Sequence, residues 1–399
     1  MATTATNLHL PTAAQRELAQ SSAWAAVPWY IWCALASVTS AMVGAHWDIS
    51  WHSSIGRDTF WTPAHMAIYL CGVLAGVAFG YIVLSTTFRK DAPLAAASVH
   101  ILGLRAPLGA FIASWGGVAM LTSAPFDNWW HDAYGLDVMI VSPPHIILLT
   151  GIYAVMAGTA VLIAGHLNRA AGRDKVLTRW VFLYLGGIAM VAVMVLLLEL
   201  TNRPFLHNSL PYILISILVP IVMAGTSRAT GAKFAATIVA GFYMLFLIAC
   251  IQILPLFPAE PKLGPVYQNI THFIPPQFPL LLVVPGLLLD LFWRRAKHWN
   301  TWAVAAVSGV LFVGSLVAVE YPFAGFLMSP ASRNSFFGTL YLFYGESPQS
   351  FLARNTFYLT DSGSAVFGRT SDRRGCVYLD DMVRNQTRQL VGGGSTVET

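Results

Sequence analysis

Two segments of the chain carry the same order of acidic, aromatic and imidazole side chains. The first contains Asp48, Trp51, His52, Gly56, Asp58, Pro63 and His65. The second contains Asp127, Trp130, His131, Gly135, Asp137, Pro143 and His145, with one extra residue between its second Asp and its Pro. Because each segment follows one apolar stretch and opens the next, the sequence predicts two copies of a helix–loop–helix unit.

The first acid and the first imidazole of each segment are four residues apart. Asp48 and His52 form one such pair, and Asp127 and His131 form the other. On a helix, residues at this spacing share a face and lie about 5–6 Å apart at Cβ. One metal ion could therefore bridge each pair.

The second imidazole of each segment is predicted to lie in the first turn of the following helix. Thr62 and Ser142 are suited to the N-cap position, and a proline follows each of them at the first helical position. His65 and His145 then occupy the third helical position, where the positive end of the helix disfavours a charged imidazole. A neutral imidazole is the form that binds metals.

Each segment thus offers one carboxylate and two neutral imidazoles, a donor set that leaves positions open on a metal. Such a set is typical of a reactive or exchangeable site. Asp58 and Asp137 are natural hydrogen-bond partners for the ligand imidazoles. Trp51 and Trp130 either wall the sites or belong to an interfacial aromatic belt. Two alternatives stay open: ordinary polar loops at a membrane surface, and a metal that is only structural.

The composition indicates an integral membrane protein. Of 399 residues, 56% are hydrophobic and 10% are charged, and the mean hydropathy is +0.61. A soluble domain carries roughly 25% charged residues, so most of this chain must face lipid. The net charge of +5 is concentrated in short loops, which excludes a nucleic-acid-binding surface.

The fold class predicted is an all-α, polytopic membrane helix bundle with an extramembrane C-terminal tail. A spanning helix needs about 20 mostly apolar residues. Residues 1–23 are expected to form an N-terminal segment, 24–324 the bundle, with the two motifs in 24–165, and 325–399 a polar tail. Nine spans are predicted, at 24–46, 63–85, 107–124, 143–165, 179–201, 210–226, 233–256, 276–293 and 302–322.

The distribution of basic residues predicts the orientation of the bundle. Thirteen Lys and Arg residues fall on the side of the N-terminus and three on the opposite side, outside the tail. The positive-inside rule then places the N-terminus in the cytoplasm and both motifs and the tail on the outer face. We expect an uncleaved first span and a location in a bacterial inner membrane.

The first motif is specific in both its residue types and its gaps. It reads Asp48-x-x-Trp51-His52, followed by Arg57-Asp58-Thr59-x-x-Thr62-Pro63-x-His65. Over residues 25–165 the chain resembles the C subunit of the copper membrane monooxygenases, the particulate methane and ammonia monooxygenase family. The resemblance implies copper sites at two places: a catalytic one at Asp48, His52 and His65, and a second one at Asp127, His131 and His145.

Two departures from that family affect the functional expectation. The second motif begins with Asp127 where the family usually has Asn, and the later spans and the tail do not map onto the C subunit. The family works with A and B subunits on small apolar substrates and dioxygen, so such partners are implied here. Alternatives are a copper-handling or assembly protein, a purely structural subunit, and zinc or iron as the metal.

Overall fold

The computed structural model describes residues 27–56, 58–89, 94–134, 142–198, 201, 206–207, 209–262 and 270–339. The predicted N-terminal segment 1–23 lies outside the described residues, as do residues 340–399 of the predicted tail and the motif residues Arg57, Gly135 and Asp137.

The described part of the chain is mainly helical. Its nine α-helices are α1 (Trp29–Ser54), α2 (Pro63–Phe88), α3 (Leu108–Tyr134), α4 (Pro143–Arg169), α5 (Gly172–Leu196), α6 (Ser209–Thr230), α7 (Ala235–Ile253), α8 (Val283–Arg295) and α9 (Thr301–Leu327). Short 3₁₀ turns cover Ala95–Ala97, Leu254–Leu256 and Pro330–Ser332.

Seven of these helices are long and apolar enough to cross a membrane, by length and composition. They are α2, α3, α4, α5, α6, α7 with its 3₁₀ extension, and α9. Helix α1 has the length of a span, but it is not among the seven. The membrane-helix character predicted from composition is confirmed in this coarse form, whereas the count of nine spans stays a prediction.

The predicted eighth span, 276–293, differs most from the structure. Residues 273–281 form no regular element, and α8 is a helix of only 13 residues that begins at Val283. Pro275, Pro276 and Pro279 explain the difference, because proline lacks a backbone donor and pushes the preceding residue out of the helical region. High apolarity is therefore not enough to make this segment a continuous helix.

The helices that carry the motifs run further than the predicted spans. Helix α1 continues to Ser54 rather than ending at 46, and α3 continues to Tyr134 rather than ending at 124. Helical backbone bonding does not require apolar side chains, so the polar turns simply prolong each helix. As a result the acid and first imidazole of each motif lie in the last turns of a helix, as their spacing predicts.

A short β-hairpin connects α2 to α3 and is absent from the all-α prediction. Strand β1 (Val99–Ile101) pairs antiparallel with β2 (Leu104–Ala106). The two turn residues, Leu102 and Gly103, both have positive φ (52° and 79°), the backbone that a two-residue hairpin turn requires.

Close glycine contacts set the geometry of the two hairpins that hold the motifs. A Cβ added at Gly116 of α3 would lie 2.6 Å from the carbonyl oxygen of Gly151 in α4, and one at Gly109 would lie 2.6 Å from that of Gly158. A Cβ at Gly44 of α1 would lie 2.7 Å from the backbone nitrogen of Ile68 in α2. Small residues allow such backbone approach between membrane helices. Each hairpin is thereby held with its motif loop at the closed end.

Helices α7 and α8 are joined through a buried carboxylate. Asp290 accepts hydrogen bonds from the backbone N–H groups of Ala236 and Thr237 and from the Thr237 hydroxyl. Its side chain therefore caps the start of α7. The cap stabilises the partial positive charge at this helix end.

Candidate metal centre

The first motif folds into a compact cluster of two carboxylates and two imidazoles. His65 Nε2 lies 3.3 Å from Asp48 Oδ1 and 3.2 Å from Asp58 Oδ2. His52 Nε2 lies 3.3 Å from Asp58 Oδ2 and 3.8 Å from Asp48 Oδ2. The structure thus brings together all three predicted residues, Asp48, His52 and His65, and adds Asp58.

Asp58 has a larger part than the sequence suggests. It was expected to hydrogen-bond the ligand imidazoles from outside, but one of its oxygens faces both imidazoles directly and its side chain is buried. Burial alone would raise the pKa of Asp58, yet its contacts with His52 and His65 outweigh burial and hold the pKa well below its usual value. Asp58 is therefore ionised and available as a ligand.

The loop between α1 and α2 fixes the orientation of His65. Its Nδ1 lies 3.0 Å from the carbonyl oxygen of Thr59, which can only accept a hydrogen bond. The Thr62 hydroxyl in turn accepts from the backbone N–H of Thr59, at 2.8 Å. Thr62 holds the predicted N-cap position, but its hydroxyl secures the loop rather than the helix N–H groups.

The second motif forms a similar but smaller cluster around Asp127. His131 Nε2 lies 3.6 Å from Asp127 Oδ2, and His145 Nε2 lies 3.5 Å from Asp127 Oδ1. Ser142 is the N-cap of α4 as predicted, and its hydroxyl accepts from the backbone N–H of His145. The two imidazoles thus approach the carboxylate on opposite oxygens.

The spacing of donor atoms fits a shared metal ion. Metal–ligand bonds of about 2.1 Å place two ligands of one tetrahedral ion roughly 3.4 Å apart, which is close to the observed separations. Within the described residues, the carboxylate and imidazole atoms that all lie within 4.8 Å of one another belong to Asp48, Asp58 and His65. His52 and the second cluster lie outside that tightest group.

Three carboxylate oxygens at these clusters, Asp48 Oδ1, Asp58 Oδ2 and Asp127 Oδ1, are buried and face imidazole nitrogens at 3.2–3.5 Å without a well-aligned hydrogen bond. A buried carboxylate oxygen whose hydrogen bonding is incomplete is costly, so such atoms mark places where a cation would be favourable. Among the described residues, the group that fits a metal is therefore Asp48, Asp58 and His65 of the first cluster.

The two clusters open onto one cavity of about 30 Å³. This volume holds about one or two water molecules. Its walls include Asp48 and His65 from the first cluster and Asp127 and His145 from the second. The remaining wall residues are Ile68, Tyr69, Ser123, Ala124, Pro144 and Leu148. Sequence spacing within one motif gives no sign of this shared space, because it depends on how α2, α3 and α4 pack.

The tryptophans of the two motifs differ in their surroundings. Trp51 is partly buried and packs against Phe273, with ring centroids 5.7 Å apart. Trp130 packs against Tyr134 at 4.5 Å, and its neighbour Trp129 is 54% exposed. Trp51 therefore belongs to the protein interior beside the first cluster, whereas the aromatic group on α3 reaches the surface.

Two histidines outside the motifs, His207 and His272, have other contacts. The ring of His207 packs against Tyr321, with centroids 4.6 Å apart, and His272 Nδ1 lies 3.0 Å from the Thr271 hydroxyl. Neither belongs to the close group of ligand atoms found among the described residues.

Glu320 of α9 is a buried carboxylate. Its side chain is fully buried, and Oε2 accepts from the backbone N–H of Leu281 at 2.9 Å. The carboxylate therefore supports the non-helical segment before α8. Glu199, which falls in the predicted span 179–201, lies outside the described residues.

No family model, curated protein or solved structure matches this chain.

Proposed function

We propose that this chain is a copper-dependent membrane monooxygenase subunit of the C-subunit kind, with its metal centre at the closed ends of two helical hairpins. The observation that carries the proposal is the pair of acid–imidazole clusters that open onto one small cavity. The motif spacing around Asp48, His52 and His65 supplies the resemblance that points to copper.

The donor set supports a reactive rather than a closed structural site. Each cluster has few protein ligands and adjoins open space, so a small exogenous ligand can reach it. When bound, copper would supply the redox chemistry that lets dioxygen insert one oxygen atom into a small apolar substrate. That conversion also consumes two electrons and two protons from an external reductant and releases water.

The protein residues would contribute binding, orientation and exclusion of water. Asp48 and Asp58 supply negative charge to the first cluster, and the Thr59 carbonyl holds the His65 ring in place. Ile68, Leu148 and Pro144 give the cavity an apolar wall that suits a substrate partitioning from lipid. Partner subunits of the A and B kinds would complete the enzyme.

The proposed location is a bacterial inner membrane, with the N-terminus in the cytoplasm and both clusters near the outer face. Support comes from the seven membrane-length helices and from the excess of Lys and Arg in the loops opposite the motifs.

A second candidate is a metal-binding membrane protein without oxygenase activity, such as a copper-handling or assembly protein. The observation in its favour is the carboxylate content: the first cluster has two acids, and Asp127 is an acid as well. Carboxylate-rich sets also suit iron, zinc or manganese. A metal other than copper would therefore favour the second candidate, whereas oxygenase activity separates the enzyme from a copper-handling protein.

The test is metal analysis of the purified chain beside His52→Ala, His131→Ala and the control His100→Ala, which alters an exposed imidazole on β1. We expect about one to two copper per wild-type chain, a loss in each motif variant and none in the control. Oxygen-dependent product formation by membranes that contain the partner subunits, abolished by His65→Ala, separates the enzyme from the handling protein. Equal metal content in all four proteins would refute both candidates.

A further inference from the structure

Tyr69 lies on the cavity wall between the two clusters. It follows His65 by one helical turn on α2, and their rings are 6.0 Å apart between centroids. It also interacts electrostatically with Asp127 of the second cluster and with Asp48 and Asp58 of the first. Tyr69 is therefore a polar side chain near the carboxylates of both motifs.

Among the described residues no hydrogen bond is found for the Tyr69 hydroxyl, and its half-buried side chain lines the cavity. Tyrosine hydroxyls in such positions usually find a partner. The second neutral polar residue of the wall, Ser123, already donates to the carbonyl oxygen of Met120. Of the two neutral hydroxyl groups on the described part of the wall, the Tyr69 hydroxyl is thus the one that can donate a hydrogen bond to a molecule in the cavity.

We infer that Tyr69 is a positioning residue, whose hydroxyl donates a hydrogen bond to a small anionic or oxygen-donor ligand held in the cavity between the two clusters. The inference rests on the proposed function, since it requires metal at one or both clusters. The other wall residues outside the clusters are apolar or already paired, so a ligand in this space has Tyr69 as its neutral donor. The hydrogen bond fixes which way the ligand points.

The size of the cavity limits the class of ligand. A volume of about 30 Å³ has room for one or two non-hydrogen atoms of a ligand. Water, hydroxide and dioxygen have this size, and an azide ion fits in part. A larger organic substrate must stay at the mouth of the cavity. Tyr69 therefore acts on the small ligand rather than on the substrate.

The test uses azide as the probe on the full-length protein loaded with copper(II). Azide binding is followed by its charge-transfer absorption and by the electron paramagnetic resonance spectrum of the copper. The variant is Tyr69→Phe, which removes only the hydroxyl. The matched control is Tyr81→Phe on the same helix, where the side chain is 43% exposed and its ring packs against Trp29.

We expect Tyr69→Phe to keep the copper content of the wild type and to bind azide about tenfold more weakly, because a hydrogen bond to an anion is lost. Tyr81→Phe should bind azide like the wild type. Equal azide affinity and equal spectra in Tyr69→Phe and wild type would overturn the inference. A wild type that takes up no copper would instead overturn the proposed function, so the two failures are distinguishable.

Discussion

The imidazole Nδ1 of His65 lies 3.0 Å from the carbonyl oxygen of Thr59, a contact across the loop that joins α1 to α2. A carbonyl oxygen only accepts, so Nδ1 carries the proton and donates it. Nε2 is then left to face Asp48 and Asp58 at 3.3 and 3.2 Å. A backbone contact six residues away thus selects the ring nitrogen that faces the cluster.

Replacing His65 by alanine should remove metal from the first cluster and leave the second occupied. We expect the copper content to fall by about one equivalent per chain, because His65 Nε2 lies within 3.3 Å of both acids and belongs to the closest group of ligand atoms. Elemental analysis of the purified variant measures this. His100→Ala on the exposed β-hairpin is the control. A variant with full copper content would show that His65 does not bind the metal.

Asp58→Asn tests whether Asp58 is a ligand or an outer partner. Removing an outer partner typically weakens metal binding by about 10–100-fold. Removing the charge of a direct ligand should weaken metal binding further, so we expect the metal affinity to fall more than about 100-fold in a competition titration. Asp132→Asn provides the comparison, since Asp132 is exposed on α3 and contacts Asn128. A loss of metal affinity of about tenfold or less would show that Asp58 is a hydrogen-bond partner of the ligands and not a ligand itself.

Gly116→Ala should loosen the hairpin that holds the second cluster. The new Cβ would lie 2.6 Å from the Gly151 carbonyl oxygen and 2.8 Å from the Val155 nitrogen. Both are backbone atoms, so no side-chain rotation can relieve the clash. We expect a loss of about 1–3 kcal/mol, seen as a lower Tm in detergent. Gly80→Ala on α2 has nothing within 4 Å and should be neutral or stabilising by about 0.5–1 kcal/mol. Equal Tm values for the two variants would contradict the close packing of α3 on α4.

Glu320 should tolerate an amide but not an apolar side chain. Glu320→Gln keeps an oxygen that can accept from Leu281, so its Tm should stay near that of the wild type. Glu320→Leu leaves that buried N–H without its acceptor, at a cost of about 1–3 kcal/mol. Thermal unfolding in detergent compares the two. If both variants unfold at the wild-type temperature, the carboxylate does not support the segment before α8.

Local rules were enough to predict several features from the sequence. Composition indicated a helical membrane protein, and seven helices have the length and apolarity for it. The i,i+4 spacing of Asp48 with His52 and of Asp127 with His131 put each pair on one helix face, and Ser142 caps α4 as expected. These features depend on hydrogen bonding and side-chain direction within one or two turns of helix, which the sequence encodes directly.

Tertiary structure alone decided how the parts meet. The sequence did not show that Asp58 turns into the first cluster, that Glu320 is fully buried, or that residues 273–281 leave the helix. It also did not show that the two motifs share a cavity beside Tyr69. Each of these depends on contacts between distant helices, set by close backbone approach at positions such as Gly116. The spacing of residues within one motif cannot predict a contact between helices that are distant in the sequence.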